Sequence, residues 1–187
     1  MASLAGERPA LVIVAPDDPE AMRRHCREAR QSNIPLLYDP SFQVTNMPGD
    51  HLIEAARGAQ VLMLNDYEHG TFERKTGKEG AAIFDLVDMV VVTLGAEGSK
   101  ILLRDGDEIH VPAAKVSDVV DPTGAGDAYR GGFAAGLVAG FDLEVCGRMG
   151  SVAAAYAVEH HGTQEHAYDK AGFAARYLDA FGTAIPS

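Results

Sequence analysis

The sequence predicts an α/β protein with a mostly parallel sheet and helices on both of its faces. Short apolar runs typical of buried strands alternate with stretches in which apolar residues recur at helical spacing. Strands joined through helices imply right-handed crossovers, which place neighbouring strands parallel. The chain has 187 residues, no internal repeat and no low-complexity linker, so we expect a single α/β domain over residues 1–187.

Apolar runs and turn signals place the elements in order along the chain. Four continuous runs predict buried parallel strands at Ala10–Ala15, Ile34–Tyr38, Gln60–Leu64 and Asp88–Leu94. An Asp-Gly-Asp turn predicts a hairpin of Lys100–Arg104 with Glu108–Val111. Helical spacing predicts helices after a cap at Asp17 or Asp18, over His51–Arg57, within 66–86, from about Gly126 to Ala139, and over Leu143–His160 and Ala171–Phe181.

Polar clusters directly follow three of the predicted strands. Asp39-Pro40-Ser41, Asn65–Glu68 and Thr93-Leu94-Gly95 each begin where an apolar run stops. In parallel sheets the carboxyl ends of the strands share one edge, and ligands bind there. We therefore expect the three clusters to lie along a common edge.

Composition limits the partners and the cellular compartment. The net charge of −11 argues against nucleic acid or an anionic membrane as the main partner, because phosphate binding requires an excess of Lys and Arg. No apolar run is long enough to span a membrane, and the first eight residues do not resemble a signal peptide. The two cysteines, Cys26 and Cys146, indicate reduced thiols, so we expect a cytoplasmic protein.

The segment Asp121–Asp127, DPTGAGD, is the strongest indication of chemistry. Gly124, Ala125 and Gly126 allow close backbone approach, and a helix that begins here would direct its free N–H groups into the turn. Such an anion site beside the carboxylate of Asp127 suits phosphoryl transfer, in which a carboxylate accepts the proton of an attacking hydroxyl. The alternative is a Gly-rich turn in which Asp127 simply caps a helix. The segment fits neither a Walker A loop nor a dinucleotide fingerprint.

The stretch Asp121–Ala134, DPTGAGDAYRGGFA, resembles the C-terminal signature of the ribokinase-like (PfkB) family of carbohydrate and nucleoside kinases. Four other segments resemble family motifs in the family's order: Asp39-Pro40-Ser41, Asn65–Glu68, Val92–Gly98 and Gly150–Gln164. Together they cover roughly residues 10–170. The stretch GSVAAAYAVEHHGTQEH, which begins at Gly150, is most similar to bacterial sugar and adenosine kinase-like members.

The resemblance assigns roles by position. It implies that Asp127 is the general base, that Gly124, Ala125 and Gly126 form the anion hole, and that Asn65 and Glu68 hold Mg²⁺ through water or orient phosphate. Without the resemblance, Asn65 and Glu68 would be read as a helix-capping motif. Nucleotide contacts are implied for Thr93, Gly95, Gly98, Thr123 and Gly162. Some members also bind K⁺ through backbone carbonyls, and the matching positions are Asp121, Thr123, Ala157, His160 and Gly162.

The resemblance implies an ATP- and Mg²⁺-dependent phosphotransferase that acts on an alcohol group of a sugar or nucleoside. Such an enzyme would be similar to adenosine kinases. Family members carry a longer N-terminal portion with Gly-rich motifs, an acceptor-binding Asp and a lid, and the sequence has no counterpart of these before Ala10. We therefore expect a ribokinase-like sheet that lacks the N-terminal strands and lid. The alternative function is a nucleotide-binding module without catalysis. A sheet without the N-terminal strands would have an exposed edge, so we expect either a homo-oligomer or association with a missing N-terminal half.

Overall fold

Residues 8–186 form seven α-helices and six strands, and these are the residues described by the structure, a computed structural model. The strands are β1 Val12–Val14, β2 Leu36–Tyr38, β3 Ala59–Asn65, β4 Val87–Thr93, β5 Ser99–Leu103 and β6 Glu108–Val111. The helices are α1 Pro19–Gln31, α2 Gln43–Asn46, α3 Gly49–Ala56, α4 Asp66–Thr76, α5 Ala125–Ala139, α6 Leu143–Val158 and α7 Lys170–Phe181. The strands form a sheet in chain order, β1-β2-β3-β4-β5-β6. The predicted α/β class is confirmed.

The first four strands pair in parallel, as their apolar sequences predict. β3 and β4 are in register from Ala59 opposite Val87 to Asn65 opposite Thr93. All three residues of β2 and most of β3 and β4 are buried, which explains their continuous rather than alternating hydrophobicity.

Contacts divide the chain into two compact units. The first comprises residues 8–93 together with Leu102–Glu108, and the second comprises Leu94–Ile101 together with residues 109–186. The prediction that residues 1–187 form one domain stays a prediction.

In the first unit, α1 begins where the sequence predicts. The Asp18 carboxylate accepts hydrogen bonds from the N–H groups of Glu20 and Ala21 at 3.1 and 3.0 Å, and Pro19 occupies the first helical position. The helix buries Met22, Cys26 and Ala29. The sequence pattern missed the one-turn helix α2, which is too short to show helical periodicity.

In the second unit, α5 and α6 approach closely through glycines. A Cβ atom on Gly132 would lie 2.5 Å from the carbonyl oxygen of Met149, and one on Gly136 would lie 3.0 Å from the Cα of Cys146. Gly131, by contrast, has no neighbouring atom of residues 8–186 within 4 Å of its Cβ position. Gly131 therefore points away from the contact between α5 and α6.

The length and hydropathy of each helix decide whether it could span a membrane. Within residues 8–186, every helix is too short or too polar to cross a bilayer.

Candidate functional site

Asn65 and Glu68 form a complete capping box at the start of α4. The Asn65 Oδ1 accepts a hydrogen bond from the Glu68 N–H at 2.8 Å, and the Glu68 Oε2 accepts one from the Asn65 N–H at 2.9 Å. Glu68 is buried. The capping alternative raised from the sequence is thus present. It still leaves acceptor capacity, because each carbonyl-type oxygen carries a second lone pair that water could use.

Polar residues follow three adjacent parallel strands of the first unit. Asp39 follows β2, Asn65 ends β3, and Thr93 ends β4 directly opposite Asn65. Asp39 is buried, and its Oδ1 accepts the N–H of Ser41 at 3.0 Å. These side chains share the carboxyl edge of the strands, as expected.

The turn Gly95–Gly98 opens the second unit. Gly95 and Gly98 have φ angles of 58° and 93°, and the Leu94 N–H donates to the Gly98 carbonyl at 2.8 Å. A Cβ atom on Gly98 would lie 2.0 Å from the Val111 carbonyl oxygen, whereas one on Gly95 would meet no atom within 4 Å. Packing therefore requires glycine at position 98, independently of any ligand.

The turn Gly124–Asp127 begins α5. Gly124 precedes the helix with a φ of 85°, and its carbonyl accepts the N–H of Ala128 at 2.9 Å. The helix begins at Ala125, one residue earlier than expected, and the Ala125 N–H donates to the Pro122 carbonyl at 3.2 Å. The N–H groups of Gly126 and Asp127 lie in the first turn, where the helix itself offers no acceptor. They lie at the positive end of the helix dipole.

Asp127 is directed towards solvent rather than into the interior. Its side chain is 65% exposed, and its Oδ1 accepts a hydrogen bond from Arg130 Nη2 at 2.7 Å. Arg130 is largely buried, so its guanidinium is a fixed partner. The structure thus has the surface ion pair at three-residue spacing that the sequence allows.

Asp121 ties the loop before α5 to the loop after α6. Its Oδ1 accepts the Thr123 N–H at 2.9 Å, and its Oδ2 accepts the Gly162 N–H at 3.0 Å. The hydrogen bonds from Thr123 and then from Gly162 lower the pKa of Asp121 to about 2. The N–H groups of Val120 and Asp121 both donate to the Val158 carbonyl, at 2.8 and 3.1 Å. Three residues expected near K⁺, namely Asp121, Thr123 and Gly162, are therefore brought together.

The two other residues expected near K⁺ lie at the C-terminal end of α6. The Ala157 carbonyl accepts the His160 N–H at 3.2 Å, and the His160 Nδ1 lies 2.8 Å from the Tyr156 carbonyl oxygen. Gly124 lies against Thr163, because its Cβ position is 3.1 Å from the Thr163 Cα. Among residues 8–186, no group of three or more His, Cys, Asp or Glu side chains is placed to hold a metal ion.

Two polar contacts near these turns were not found from the sequence. The hydroxyl oxygens of Ser99 and Tyr129 are 2.7 Å apart in the interior. Glu159 accepts hydrogen bonds from the Ser117 N–H at 2.9 Å and from Arg176. No sequence signal pairs residues this far apart, because each pair meets only once the second unit has folded.

A parallel α/β sheet with polar strand ends, together with a Gly-rich turn that opens a helix beside an aspartate, agrees with the resemblance found in the sequence. The chain belongs to the pfkB family of carbohydrate kinases, whose family model matches residues 2–170.

Individual relatives are nucleoside kinases. The chain is 36% identical over 157 residues to the nucleoside kinase of Methanocaldococcus jannaschii, covering 82% of this chain and 50% of that protein. A structure of the Burkholderia thailandensis nucleoside kinase in complex with inosine has a TM-score of 0.93 and 34% identity, covering 98% of this chain and 60% of that one. A structure of the same kinase in complex with ADP-inosine has a TM-score of 0.92 and 34% identity, covering 97% and 56%.

These similarities confirm the ribokinase-like fold. The chain spans about half the length of the curated relatives it matches.

Proposed function

We propose that the chain contributes to ATP-dependent transfer of a phosphoryl group to an alcohol, with a nucleoside as the acceptor. Family membership supports phosphotransfer. Two relatives named nucleoside kinases, one of them in complex with inosine, favour a nucleoside over a sugar. Adenosine, the acceptor that the sequence resemblance favoured, belongs to the same chemical class. The relative in complex with ADP-inosine supports an adenine nucleotide as the donor.

The observation that carries this proposal is the geometry of the turn Gly124–Asp127. The left-handed Gly124 leads directly into α5, so the first-turn N–H groups and the positive end of the helix dipole face the same space. Gly124, Ala125 and Gly126 form the proposed anion hole, in which the N–H groups of Gly126 and Asp127 stabilise the transferring phosphoryl group.

Asp127 is the proposed general base. Its exposed carboxylate accepts the proton of the acceptor hydroxyl as that oxygen forms a bond to the γ-phosphorus of ATP. The bond between the γ-phosphorus and the bridging oxygen breaks, and ADP leaves with the electron pair. Arg130 holds one carboxylate oxygen and so restricts the rotamers of Asp127.

Other predicted residues have supporting roles in the proposal. Thr93, Gly95, Gly98, Thr123 and Gly162 line the nucleotide. Asn65 and Glu68 hold Mg²⁺ through water, a role that fits their geometry because the capping box uses only one lone pair of each named oxygen. Bound Mg²⁺ would neutralise charge on the ATP phosphates. K⁺ would be held near Asp121, Thr123, Ala157, His160 and Gly162.

Location and assembly are also proposals. The free, buried thiols of Cys26 and Cys146 support a cytoplasmic location, where thiols stay reduced. β1 is the first strand in the sheet order, and an edge strand of this kind supports association with a second chain. Light scattering of the purified chain would detect such an assembly.

The test compares Asp127→Asn with Asp142→Asn. Both aspartates are exposed and lie at the start of a helix, but Asp142 precedes α6 and lies outside the proposed site. ATP binding is measured by calorimetry, and turnover is measured by a coupled assay with inosine, adenosine, ribose and fructose. We expect Asp127→Asn to lower kcat at least about 100-fold, the scale of general-base catalysis, with the ATP Kd within about twofold of wild type.

The outcomes separate the two functions weighed from the sequence. Wild-type turnover that persists in Asp127→Asn would rule out Asp127 as the base. ATP binding without turnover of any acceptor by the wild-type chain would favour a nucleotide-binding module. Absence of ATP binding would reject the proposal as a whole.

A further inference from the structure

A buried hydrogen bond joins two turns that the proposed function uses separately. Ser99 directly follows Gly98, and Tyr129 lies on α5 two residues after Asp127. Their hydroxyl oxygens are 2.7 Å apart. Ser99 is completely buried and Tyr129 is 4% exposed, so neither side chain can contact a ligand from solvent.

Both ends of this bond are fixed by packing. A Cβ atom on Gly150 of α6 would lie 3.0 Å from Tyr129 ring atoms, and the ring stacks on Phe133 with 6.3 Å between centroids. On the other side, the backbone before Ser99 is fixed because Gly98 packs directly on the Val111 carbonyl. Because each hydroxyl is held rigidly to its own turn, a shift of either turn would change the geometry of this hydrogen bond.

The hydroxyl groups are not needed to fill the space, because phenylalanine would pack in nearly the same volume. Burial raises the pKa of Tyr129 to about 12, and the hydrogen bond between Tyr129 and Ser99 opposes this rise. The tyrosine hydroxyl therefore keeps its proton at neutral pH and can donate it. In the interior a hydroxyl that loses its partner is not compensated by water, so the pair strongly favours one arrangement of the two turns.

We propose that Ser99 and Tyr129 are a positioning pair, which sets the phosphate-binding N–H groups of 124–127 relative to the nucleotide-lining turn 95–98. This inference rests on the proposed function for the role of the two turns. The pair acts through its neighbours: Ser99 through Gly98, and Tyr129 through the first turn of α5.

The test uses Ser99→Ala, Tyr129→Phe and the double variant. The control is Tyr177→Phe, because Tyr177 is also buried in the second unit and, among the described residues, its hydroxyl makes no hydrogen bond of normal geometry. We expect each single variant to raise the ATP Kd about fivefold to tenfold, the scale of one hydrogen bond, with the acceptor KM within about twofold. The double variant should bind ATP no more weakly than the single variant with the larger effect, because both substitutions remove the same hydrogen bond. Tyr177→Phe should change the ATP Kd less than about twofold.

Hydrogen exchange provides a readout that does not depend on catalysis. Without ATP, the amides of 124–127 should exchange faster in Ser99→Ala and Tyr129→Phe, relative to the middle of α5. An unchanged ATP Kd with unchanged local exchange, or additive effects in the double variant, would overturn the inference. If the wild-type chain binds no ATP, the proposed function fails, and the exchange measurement alone decides whether the pair positions the turn.

Discussion

Arg176 of α7 makes the most extensive ionic contact described in the second unit, and its removal should destabilise the fold. Its Nη1 and Nη2 each lie 2.7 Å from one oxygen of Glu159. Nη2 also donates to the Lys115 carbonyl at 3.0 Å, and the guanidinium lies 4.4 Å from the centre of the Tyr156 ring. Arg176→Met keeps much of the aliphatic packing and removes all of these polar contacts.

The pKa of Glu159 gives the magnitude. The hydrogen bonds from Arg176, as the largest cause, lower this pKa from 4.5 to about 2, and both side chains are less than one-fifth exposed. At about 1.36 kcal/mol per pKa unit, the whole shift corresponds to roughly 3 kcal/mol above pH 5. Since the folded-state pKa is lowered, this stability is lost as the pH falls from about 4.5 through 2, and about 2 kcal/mol remains at pH 3.5.

The assay is urea unfolding followed by circular dichroism at pH 7 and pH 3.5. We expect Arg176→Met to lower the free energy of unfolding by about 2–3 kcal/mol at pH 7, and by roughly 1 kcal/mol less at pH 3.5. The control is Arg104→Met, because Arg104 pairs with Asp88 at 3.6 Å and both side chains are mostly exposed, so its cost should stay below about 1 kcal/mol. A loss at pH 7 that matches the control, or a loss that does not shrink at pH 3.5, would refute the reasoning.

Two further predictions concern backbone geometry. Gly98→Ala should cost more than about 3 kcal/mol in thermal or urea unfolding, because its Cβ would lie 2.0 Å from a carbonyl oxygen, whereas Gly106→Ala, with a similar φ of 94° and open space, should cost only about 1 kcal/mol. If both variants lost the same free energy of unfolding, backbone strain at positive φ alone would explain the cost at both positions. Asn65→Ala should lower the free energy of unfolding by about 1 kcal/mol through loss of the cap on α4, and Asn65→Asp should restore most of it. No recovery in Asn65→Asp would argue against the capping role.

The sequence predicted the elements well where local chemistry determines them. The apolar runs located the strands to within about two residues, and Pro19 after Asp17 or Asp18 marked the start of α1, where the structure selects Asp18 as the cap. The one-turn helix α2 was missed because it has too few residues for periodicity. Composition also does not show which of two adjacent glycines faces a neighbouring helix: Gly132 does, and Gly131 does not.

The candidate site was predictable where its residues are neighbours in the sequence. The Gly-rich turn and Asp127 are contiguous, so their spacing alone predicts an anion site at a helix start. Gly98 drew attention as a ligand-lining glycine, yet its own contact with the Val111 carbonyl already requires glycine there. Ser99 and Tyr129 could not be paired in advance, because thirty residues separate them and tertiary packing alone brings them together.

The double anchoring of the loop before α5 limits how this region can be re-engineered. The Val158 carbonyl holds two successive N–H groups, and the Asp121 carboxylate reaches the Gly162 N–H four residues further along. Adding or deleting one residue between those two points would shift one anchor out of reach while leaving the other in place. Tags, spectroscopic probes or permuted termini are better introduced at the exposed hairpin tip at Gly106, where an added side chain has open space.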